Sequence, residues 1–207
     1  MGGTFDPIHI GHMLLAQSAL EQLQLDEVIF LPNGNPPHKK TQRDRAGELQ
    51  RLEMTRLAVQ DEPGFRVDDR EIRPDLKDGE VVPAPAFHYS KDTIRQMALE
   101  HPEVEYYFII GADSLMTFHH WVEPETISRY CILAAAVRDG ETIDSMKKQA
   151  AFLKEKYGTR VVYLEIPPMD VSSTELRRMC SLGRSLRYLV PDRVWGYIRD
   201  NGLYREE

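Results

Sequence analysis

The sequence predicts an α/β protein with a Rossmann-like, doubly wound parallel sheet, because short apolar segments alternate with helical patterns along the chain. Apolar runs of strand length lie at residues 28–31, 106–110, 131–137 and 161–164. Continuous runs of this kind are typical of parallel strands that are buried on both faces. Patterns of helical period occupy residues 14–23, 49–59, 93–99, 143–157 and 193–198. In such folds, ligands bind outside the carboxyl ends of the strands.

Length and composition limit the class of protein further. A chain of 207 residues fits one domain, and we expect a single domain over residues 1–207 with a helical C-terminal part from about residue 172. The net charge of −7 argues against a general nucleic-acid surface. The sequence has two cysteines, Cys131 and Cys180, with neither a secretory segment nor an apolar run that could span a bilayer. We therefore expect a cytoplasmic protein without a membrane partner, and the sequence leaves a homo-oligomer open.

The segment at residues 2–12, with the sequence GGTFDPIHIGH, carries most of the functional argument. Gly2 and Gly3 allow the backbone to approach a ligand without an intervening Cβ atom. The helical pattern that follows predicts a helix whose first amides and positive dipole end attract an anion. His9 and His12 are three residues apart and should lie on one face of the first turn. The segment therefore predicts a site for the phosphates of a nucleoside triphosphate.

Other interpretations of these residues were possible from the sequence. Neither G-x-G-x-x-G with a following ribose-binding acid nor G-x-x-x-x-G-K-[ST] occurs, which argues against a hydride-transfer dinucleotide site and a P-loop. A metal site made of His9, His12 and the pair His119 and His120 is an alternative, although no H-E-x-x-H or cysteine-rich set accompanies it. Two half-exposed histidines at the start of a helix are the purely structural alternative.

With these residues the chain resembles the nucleotidylyltransferase superfamily, whose signature is H-x-G-H, and GTFDP-x-H-x-G-H is a specific form of it. Residues 171–177, VSSTELR, are similar to the second signature of that superfamily, S-S-T-x-x-R, which closes over the triphosphate. Residues 36–39 (PPHK), 89–93 (YSKDT) and 111–114 (GADS) with Trp121 resemble bacterial nicotinate-nucleotide adenylyltransferases. The resemblance extends through residues 188–204 and so spans nearly the whole chain.

This resemblance implies a nucleotidylyltransferase-type fold and adenylyl transfer from ATP to nicotinate mononucleotide, giving deamido-NAD and pyrophosphate in NAD biosynthesis. The catalytic residues implied are His9, His12, Lys39 and Arg177. The ATP-binding residues implied are Gly2, Gly3, Thr4, Phe5, Gly11, Gly111, Asp113, Ser172, Ser173 and Thr174. The nicotinate-nucleotide-binding residues implied are Asn33, Tyr89, Thr93, Trp121 and Arg138. ATP and nicotinate mononucleotide are the expected partners, with Mg²⁺ held mainly by the phosphates rather than by protein ligands.

The chemistry expected of these residue types is mainly electrostatic. The attacking phosphate is already anionic near neutral pH, so the reaction needs no strong general base. His9 and His12 can donate hydrogen bonds to the α-phosphate and leaving-group oxygens, over which negative charge spreads during the reaction. The charge of the two histidines can itself adapt near neutral pH. Ser172 and Glu175 form a capping-box pattern that predicts a helix start, and Arg177 adds a fork for phosphate oxygens.

Several positions keep a structural alternative beside the functional one. Asp113 is either an ordinary acid at a strand end or a partner of the ribose or the metal-nucleotide. Trp121 is either a core-packing aromatic or, as the resemblance implies, a platform for the nicotinate ring. Residues 73–87 contain three prolines and predict a long loop or an excursion before Tyr89.

The chain also departs from the family pattern at its first residues and beside residue 89. Family members carry a short apolar strand before the glycine pair, whereas Met1 precedes Gly2 here. We expect either a start upstream of Met1 or a sheet with a shortened first strand. His88 and Lys91 differ from the usual residues of the family. The alternative functions are another adenylyl- or cytidylyltransferase of the superfamily and a non-catalytic nucleotide-binding regulator.

Overall fold

The description rests on a computed structural model of the chain. It describes residues 1–34, 45–72, 75–77, 80–82, 89–137 and 140–205, and side chains are described except at residues 75–77, 80–82 and 140–142. The strands are β1 (Gly2–Gly3), β2 (Val28–Pro32), β3 (Phe65–Val67), β4 (Asp75–Lys77), β5 (Glu80–Val82), β6 (Tyr106–Ile110), β7 (Cys131–Val137) and β8 (Val161–Glu165). The helices are α1 (Ile10–Gln22), α2 (Glu48–Val59), α3 (Ser90–Glu100), α4 (Ala112–Thr117), α5 (Pro124–Tyr130), α6 (Gly140–Tyr157), α7 (Ser173–Ser181) and α8 (Asp192–Asp200), with a 3₁₀ helix at Phe118–His120.

The chain divides into two compact units. The first unit comprises Met1–Gly2, Leu15–Leu25 and Tyr89–Pro168, and the second comprises Gly3–Leu14, Asp26–His88 and Met169–Glu207. The expectation of a single domain over residues 1–207 stays a prediction. So does the expectation of a separate helical part from about residue 172.

The first unit is built on the parallel sheet β6-β7-β8, with β7 in the centre. The first six residues of β7 are buried, as the continuous apolar run at Cys131–Val137 predicts for a central parallel strand. Leu133 of β7 packs in a core with Phe108 of β6 and Met146 of α6. The side chain of Gln22 in α1 exchanges two hydrogen bonds with the backbone of Glu165 in β8, at 2.7 and 3.0 Å.

The second unit contains β2, β3 and Gly3 of β1, from the three-stranded sheet of order β1-β2-β3. β2 and β3 are parallel, with Val28 opposite Phe65 in the register. Helix α2 packs on α8 and on the strands β2 and β3. Phe30 and Met54 are fully buried in this unit. β1 comprises Gly2 and Gly3. Both expectations for the start of this sheet stay predictions.

The predicted fold class is confirmed, because two three-stranded parallel sheets are flanked by helices in a Rossmann-like arrangement. The predicted strands at residues 28–31, 106–110, 131–137 and 161–164 are all present. Helix α1 begins at Ile10 rather than at residue 14. Sequence analysis missed the short elements β3, α4 and α5, whose three to seven residues are too few to establish a period.

Residues 73–87, for which the sequence predicts a long loop or an excursion before Tyr89, contain two short strands. Residues 75–77 and 80–82 form the antiparallel pair β4 and β5, with Lys77 opposite Glu80. Each strand has three residues, which are too few to establish a strand period from the sequence.

Within the described part of the chain, none of the helices is both long enough and apolar enough to cross a bilayer.

Candidate active site

The second unit holds most residues of the two signature segments. It contains Gly3, Thr4, Phe5, His9, Gly11, His12, Asn33, Ser172, Ser173, Thr174 and Arg177. The first unit contains Gly2, Tyr89, Thr93, Gly111, Asp113 and Trp121. The predicted residues Lys39 and Arg138 lie outside the described residues.

The central feature of the second unit is residues 4–6, which we call the signature turn. Phe5 has a positive φ of 48°, and its side chain is 2% exposed. A bulky residue rarely adopts this left-handed conformation, and such strain persists only where the surrounding structure holds it. The ring of Phe5 lies with its centroid 5.9 Å from that of Phe30 and 5.1 Å from that of His12, edge-on to the imidazole.

Two buried arginines donate hydrogen bonds to carbonyl groups of the signature turn. Arg51 Nη1 donates to the Thr4 carbonyl at 2.8 Å, and its Nη2 donates to the Gly34 carbonyl at 3.0 Å. Arg177 Nη1 donates to the Asp6 carbonyl at 2.8 Å. The two arginines are 4% and 7% exposed. The strained residue Phe5 is therefore held through the carbonyl on each side of it.

The Asp6 side chain adds a third connection to the turn. Its Oδ1 accepts hydrogen bonds from the Ala46 backbone N–H at 3.2 Å and from the Tyr204 hydroxyl at 2.8 Å. Its Oδ2 lies 3.8 Å from Arg177 Nη1. Burial, and then the negative charge of Asp6, raises the pKa of Tyr204 far above its ordinary value, so its hydroxyl remains a donor.

The two signature histidines lie against each other, as their spacing predicts. Their ring centroids are 3.8 Å apart, and the His9 backbone N–H donates to His12 Nδ1 at 3.2 Å. Burial, and then the nearby His9, lowers the pKa of His12 well below 6.5. An imidazole that is neutral and accepts at Nδ1 carries its proton on Nε2. His12 is therefore a neutral Nε2–H donor at neutral pH, and the expectation that its charge adapts near neutral pH is wrong because burial disfavours the imidazolium.

The packing of the rings requires a glycine at position 3 and leaves little room for a Cβ atom at Gly11. A Cβ atom at Gly3 would lie 2.8 Å from Cε1 of Phe5. A Cβ atom at Gly11 would lie 3.1 Å from both Cε1 and Nδ1 of His9. At Gly2 the nearest atom, in the ring of Phe108, would be at an ordinary 3.5 Å. Sequence analysis assigned the glycines to ligand approach and did not find this second reason.

The second signature connects directly to the first. Ser173 Oγ donates to the Pro7 carbonyl at 3.0 Å, across 166 positions of sequence, and Arg177 reaches Asp6. Helix α7 begins at Ser173, and the Ser172 hydroxyl accepts from the Glu175 N–H at 3.2 Å, so the predicted cap is confirmed. The reciprocal half of the predicted capping box is wrong. The Glu175 carboxylate instead accepts from Arg178, at 2.8 and 2.6 Å.

Asn33 lies beside the glycine pair at the end of β2. Its backbone N–H donates to the Gly3 carbonyl at 2.9 Å, and its side-chain Nδ2 donates to Glu71 at 3.3 Å. Glu71 is 5% exposed. Sequence analysis missed Glu71, Arg51 and Tyr204, because isolated charged or aromatic residues carry no motif. A buried acid or arginine is identified by its burial, which the sequence does not state.

The predicted residues of the first unit occupy α3, α4 and the end of the 3₁₀ helix. Asp113 is exposed in the first turn of α4, directly after the end of β6. Thr93 is buried, and Tyr89 is the N-cap residue of α3. The half-buried ring of Trp121 packs on Phe108 and Phe118, at centroid distances of 6.0 and 5.5 Å. Core packing therefore covers part of the Trp121 ring, and the rest of the ring is exposed.

The metal-site alternative receives no support from the described residues. Among them, no group of three or more His, Cys, Asp or Glu side chains is placed to hold a metal ion. His119 Nδ1 instead lies at hydrogen-bond distance, 3.0 Å, from Gln149 Nε2. His9 and His12 belong to the second unit, whereas His119 and His120 belong to the first.

Comparison with known proteins identifies the family of this chain. The family model for cytidylyltransferase-like proteins matches residues 1–179. A Symbiobacterium thermophilum protein named "Probable nicotinate-nucleotide adenylyltransferase" is 42% identical over 204 residues, which are 99% of this chain and 93% of the relative. A protein of the same name from Lachnoclostridium phytofermentans is 39% identical, over 99% of this chain and 96% of the relative. The chain belongs to the cytidylyltransferase-like family and, within it, to the nicotinate-nucleotide adenylyltransferases.

Solved structures agree on the fold. Plasmodium falciparum nicotinic acid mononucleotide adenylyltransferase complexed with NaAD superposes with a TM-score of 0.73 at 17% identity, over 98% of this chain and 94% of that one. The same enzyme complexed with APC gives a TM-score of 0.70 over the same shares of the two chains.

The low pKa of His12 predicts a pH dependence of stability. Because the folded protein binds a proton at His12 less readily than the unfolded chain, the free energy of unfolding should fall as the pH decreases below 6.5 toward the lower folded value. Histidine NMR titration should find His12 neutral at pH 6.5. Urea unfolding across this range should be flatter for His12→Gln than for the unchanged protein. A His12 that titrates at 6.5 or above would contradict the buried neutral imidazole.

The contact between Gly3 and Phe5 predicts a strong effect of a small substitution. Gly3→Ala places a methyl group 2.8 Å from the ring, which must then move against His12 and Phe30. We expect the free energy of unfolding to fall by about 1–3 kcal/mol, as measured by urea denaturation. Gly196→Ala is the matched control: it lies in α8 with no neighbour within 4 Å and should stabilise by about 0.5–1 kcal/mol. Equal stabilities of the two variants would refute the packing requirement.

Proposed function

We propose that this chain transfers the adenylyl group of ATP to nicotinate mononucleotide, forming deamido-NAD and pyrophosphate in NAD biosynthesis. One observation carries the proposal: the two signature segments join through the bonds from Arg177 to Asp6 and from Ser173 to Pro7. The relatives support it, since proteins named as nicotinate-nucleotide adenylyltransferases are 36–42% identical to nearly the whole chain.

The reaction is a displacement at the α-phosphorus of ATP. An oxygen of the mononucleotide phosphate forms a bond to that phosphorus, and the bond to the bridging oxygen of the β-phosphate breaks, so pyrophosphate leaves with the electron pair. Because the attacking oxygen is already anionic, the protein needs to align two polyanions and to stabilise the developing charge. No protein side chain has to remove a proton from the attacking group.

His12 is the proposed donor to the α-phosphate. Its proton lies on Nε2, because Nδ1 accepts from the His9 N–H. A neutral donor held by the ring of Phe5 and the backbone of His9 is oriented before the substrate arrives, which is the condition for electrostatic catalysis. His9 is proposed to assist at the same phosphate.

The positive end of α1 is proposed to contribute through its dipole more than through its first amide. The Ile10 N–H already donates to the Leu189 carbonyl at 3.0 Å. The dipole of the 13-residue helix does not depend on that amide and favours an anion beside Gly11 and His12.

Arg177 is proposed to act on the β- and γ-phosphates as a fixed positive charge. Its Nη1 and Nη2 already donate to Asp6 and Thr174, at 2.8 and 3.4 Å, so the guanidinium is oriented by the protein. Ser172, Ser173 and Thr174 are proposed to line the same phosphates at the start of α7. Lys39 is proposed as a further cation on sequence resemblance, since it lies outside the described residues.

The nicotinate mononucleotide is proposed to contact Asn33, Tyr89, Thr93, Trp121 and Arg138, as the resemblance implies, with Gly111 and Asp113 on the ATP side. The Asn33 amide donates to the buried Glu71, which fixes its orientation with its Oδ1 left as an acceptor. Glu71 is therefore proposed as a support for Asn33.

Mg²⁺ is the proposed metal ion, because it keeps several waters and binds phosphates with few protein ligands. A cytoplasmic location is proposed from the two free cysteines, Cys131 and Cys180, both buried as thiols. The net charge of −7 supports the prediction that nucleic acid is not a partner. A homo-oligomer stays open.

The decisive assay measures pyrophosphate release with ATP and one of three acceptors: nicotinate mononucleotide, its amide analogue, or phosphopantetheine. We expect a preference for the acid over the amide in kcat/KM of about 5- to 150-fold, since an amide NH₂ facing a backbone donor leaves that donor unsatisfied. Equal kcat/KM for acid and amide would indicate a dual-specificity enzyme. Turnover of phosphopantetheine alone would assign a sister transferase, and ATP binding without turnover would assign a regulator.

The proposed role of His12 predicts a defect in turnover rather than in binding. His12→Ala should lower kcat by about 100-fold or more, with a much smaller change in the Kd of ATP, because the donor meets charge that develops in the transition state. The matched control is His101→Ala, whose imidazole is 62% exposed beside Glu103, and it should leave kcat unchanged. A folded His12→Ala protein with normal kcat would remove His12 from the mechanism.

A further inference from the structure

The signature turn is a strained segment whose geometry depends on residues outside both signatures. Phe5 has a φ of 48°, a conformation that its own sequence does not favour. The hydrogen bonds that hold the turn come from the Ala46 backbone, from α2, from α7 and from the segment that follows α8. Of these partners, the family resemblance assigns a role to Arg177 alone.

Arg51 of α2 joins two separate pieces of backbone. Its guanidinium donates to the Thr4 carbonyl and to the Gly34 carbonyl, so it links the signature turn to the residues that follow β2. At 4% exposure it is buried in the protein, and its two bonds use the planar fork that lysine lacks.

Tyr204 fixes the side chain at the other end of the turn. Its hydroxyl donates to Asp6 Oδ1 at 2.8 Å, and the residue itself has a positive φ of 61° directly after α8 and the turn that follows it. Tyr204 is 8% exposed and Asp6 is 2% exposed. A bulky residue in this conformation, aimed at a buried carboxylate, indicates that tertiary structure holds it there.

The turn transmits this placement to the catalytic group through Phe5. The Phe5 ring meets the His12 imidazole edge-on at 5.1 Å, and a methyl group at Gly3 would already collide with the Phe5 ring. A rotation of the backbone at Phe5 therefore moves the surface against which His12 is oriented. Tight packing leaves little room for the imidazole to compensate.

We propose that Arg51 and Tyr204 are positioning residues of the adenylyl-transfer reaction, which hold the signature turn and thereby the orientation of His12. Neither residue touches the reacting atoms in this proposal. The inference rests on the proposed function for its kinetic part, whereas its effect on the His12 ring is independent of the reaction.

The test uses Tyr204→Phe, which removes one hydroxyl and keeps the ring. We expect kcat to fall about tenfold with KM for ATP and nicotinate mononucleotide changed less than about twofold, since small misplacements of catalytic groups act on turnover. In the substrate-free protein, the ¹⁵N shifts of His12 Nδ1 and Nε2 should move toward each other as the bond from the His9 N–H loosens and the tautomers mix. His12→Gln identifies the resonances.

The matched control is Ser128→Ala. It also removes a buried hydroxyl, which bonds Thr159 at 2.7 Å in the other unit. This variant should lower the midpoint of thermal unfolding and leave both kcat and the His12 shifts unchanged. If the unsubstituted protein is active and Tyr204→Phe changes neither kcat nor the His12 shifts, the inference is overturned. It is also overturned if Ser128→Ala and Tyr204→Phe lower kcat equally and Tyr204→Phe leaves the His12 shifts unchanged.

Arg51 provides the second test. Arg51→Lys keeps the charge and one of the two hydrogen bonds, and it should lower kcat less than Arg51→Met does. The ¹⁵N shifts of His12 should likewise move less in Arg51→Lys than in Arg51→Met. Equal losses without displaced shifts would overturn its positioning role. If the unchanged protein transfers no adenylyl group, the proposed function fails, while the His12 shifts of Tyr204→Phe still decide whether the turn is held as inferred.

Discussion

The contacts of the buried Asp6 carboxylate are the interactions on which the packing of the second unit depends. Its Oδ1 accepts from Tyr204 and from the Ala46 backbone, and Arg177 lies against its other oxygen and bonds its carbonyl. Burying a carboxylate in a residue that is 2% exposed costs several kcal/mol in desolvation. The two hydrogen bonds to Oδ1 offset this cost, together with the Arg177 guanidinium, which lies 3.8 Å from Oδ2, an oxygen that accepts no hydrogen bond. The segment at Ala46, helix α7 and the residues after α8 must therefore pack around Asp6 for its carboxylate to be buried. The same requirement brings the two signatures to one place.

Strain in the chain has a function in this arrangement. The left-handed Phe5 lies between two carbonyls that accept from Arg51 and Arg177, so hydrogen bonds to charged donors, about 1.5–3 kcal/mol each, offset a strain of about 1–3 kcal/mol. Hydrogen bonds of this kind also fix direction, because a guanidinium donates in a plane. As a result, the Phe5 ring contacts the His12 imidazole in a fixed edge-on orientation.

The chemistry of the site follows from burial more than from acidity. A half-buried imidazole whose pKa is lowered by desolvation and whose Nδ1 accepts from a backbone N–H is neutral and presents one proton, on Nε2. A reaction between a phosphate anion and a triphosphate needs such donors, positive charge and alignment, since proton removal is not required. Helix dipole, Arg177 and a metal ion held by the phosphates provide the charge in the proposed mechanism, and the protein provides the alignment.

The sequence by itself determined the fold class, the strands β6, β7 and β8, the start of α7 and the adenylyltransferase family, because apolar runs, caps and signature segments are local patterns. It did not determine the neutral state of His12, the pairing of β4 with β5, or the packing of Gly3 against the Phe5 ring. Tertiary structure alone decided the partners of the signature turn. Arg51 donates to Thr4 across 47 positions, Tyr204 donates to Asp6 across 198, and neither residue belongs to a motif. The roles of Arg51 and Tyr204 depend on burial, because a hydrogen bond to a desolvated carboxylate or carbonyl is stronger than the same hydrogen bond in water.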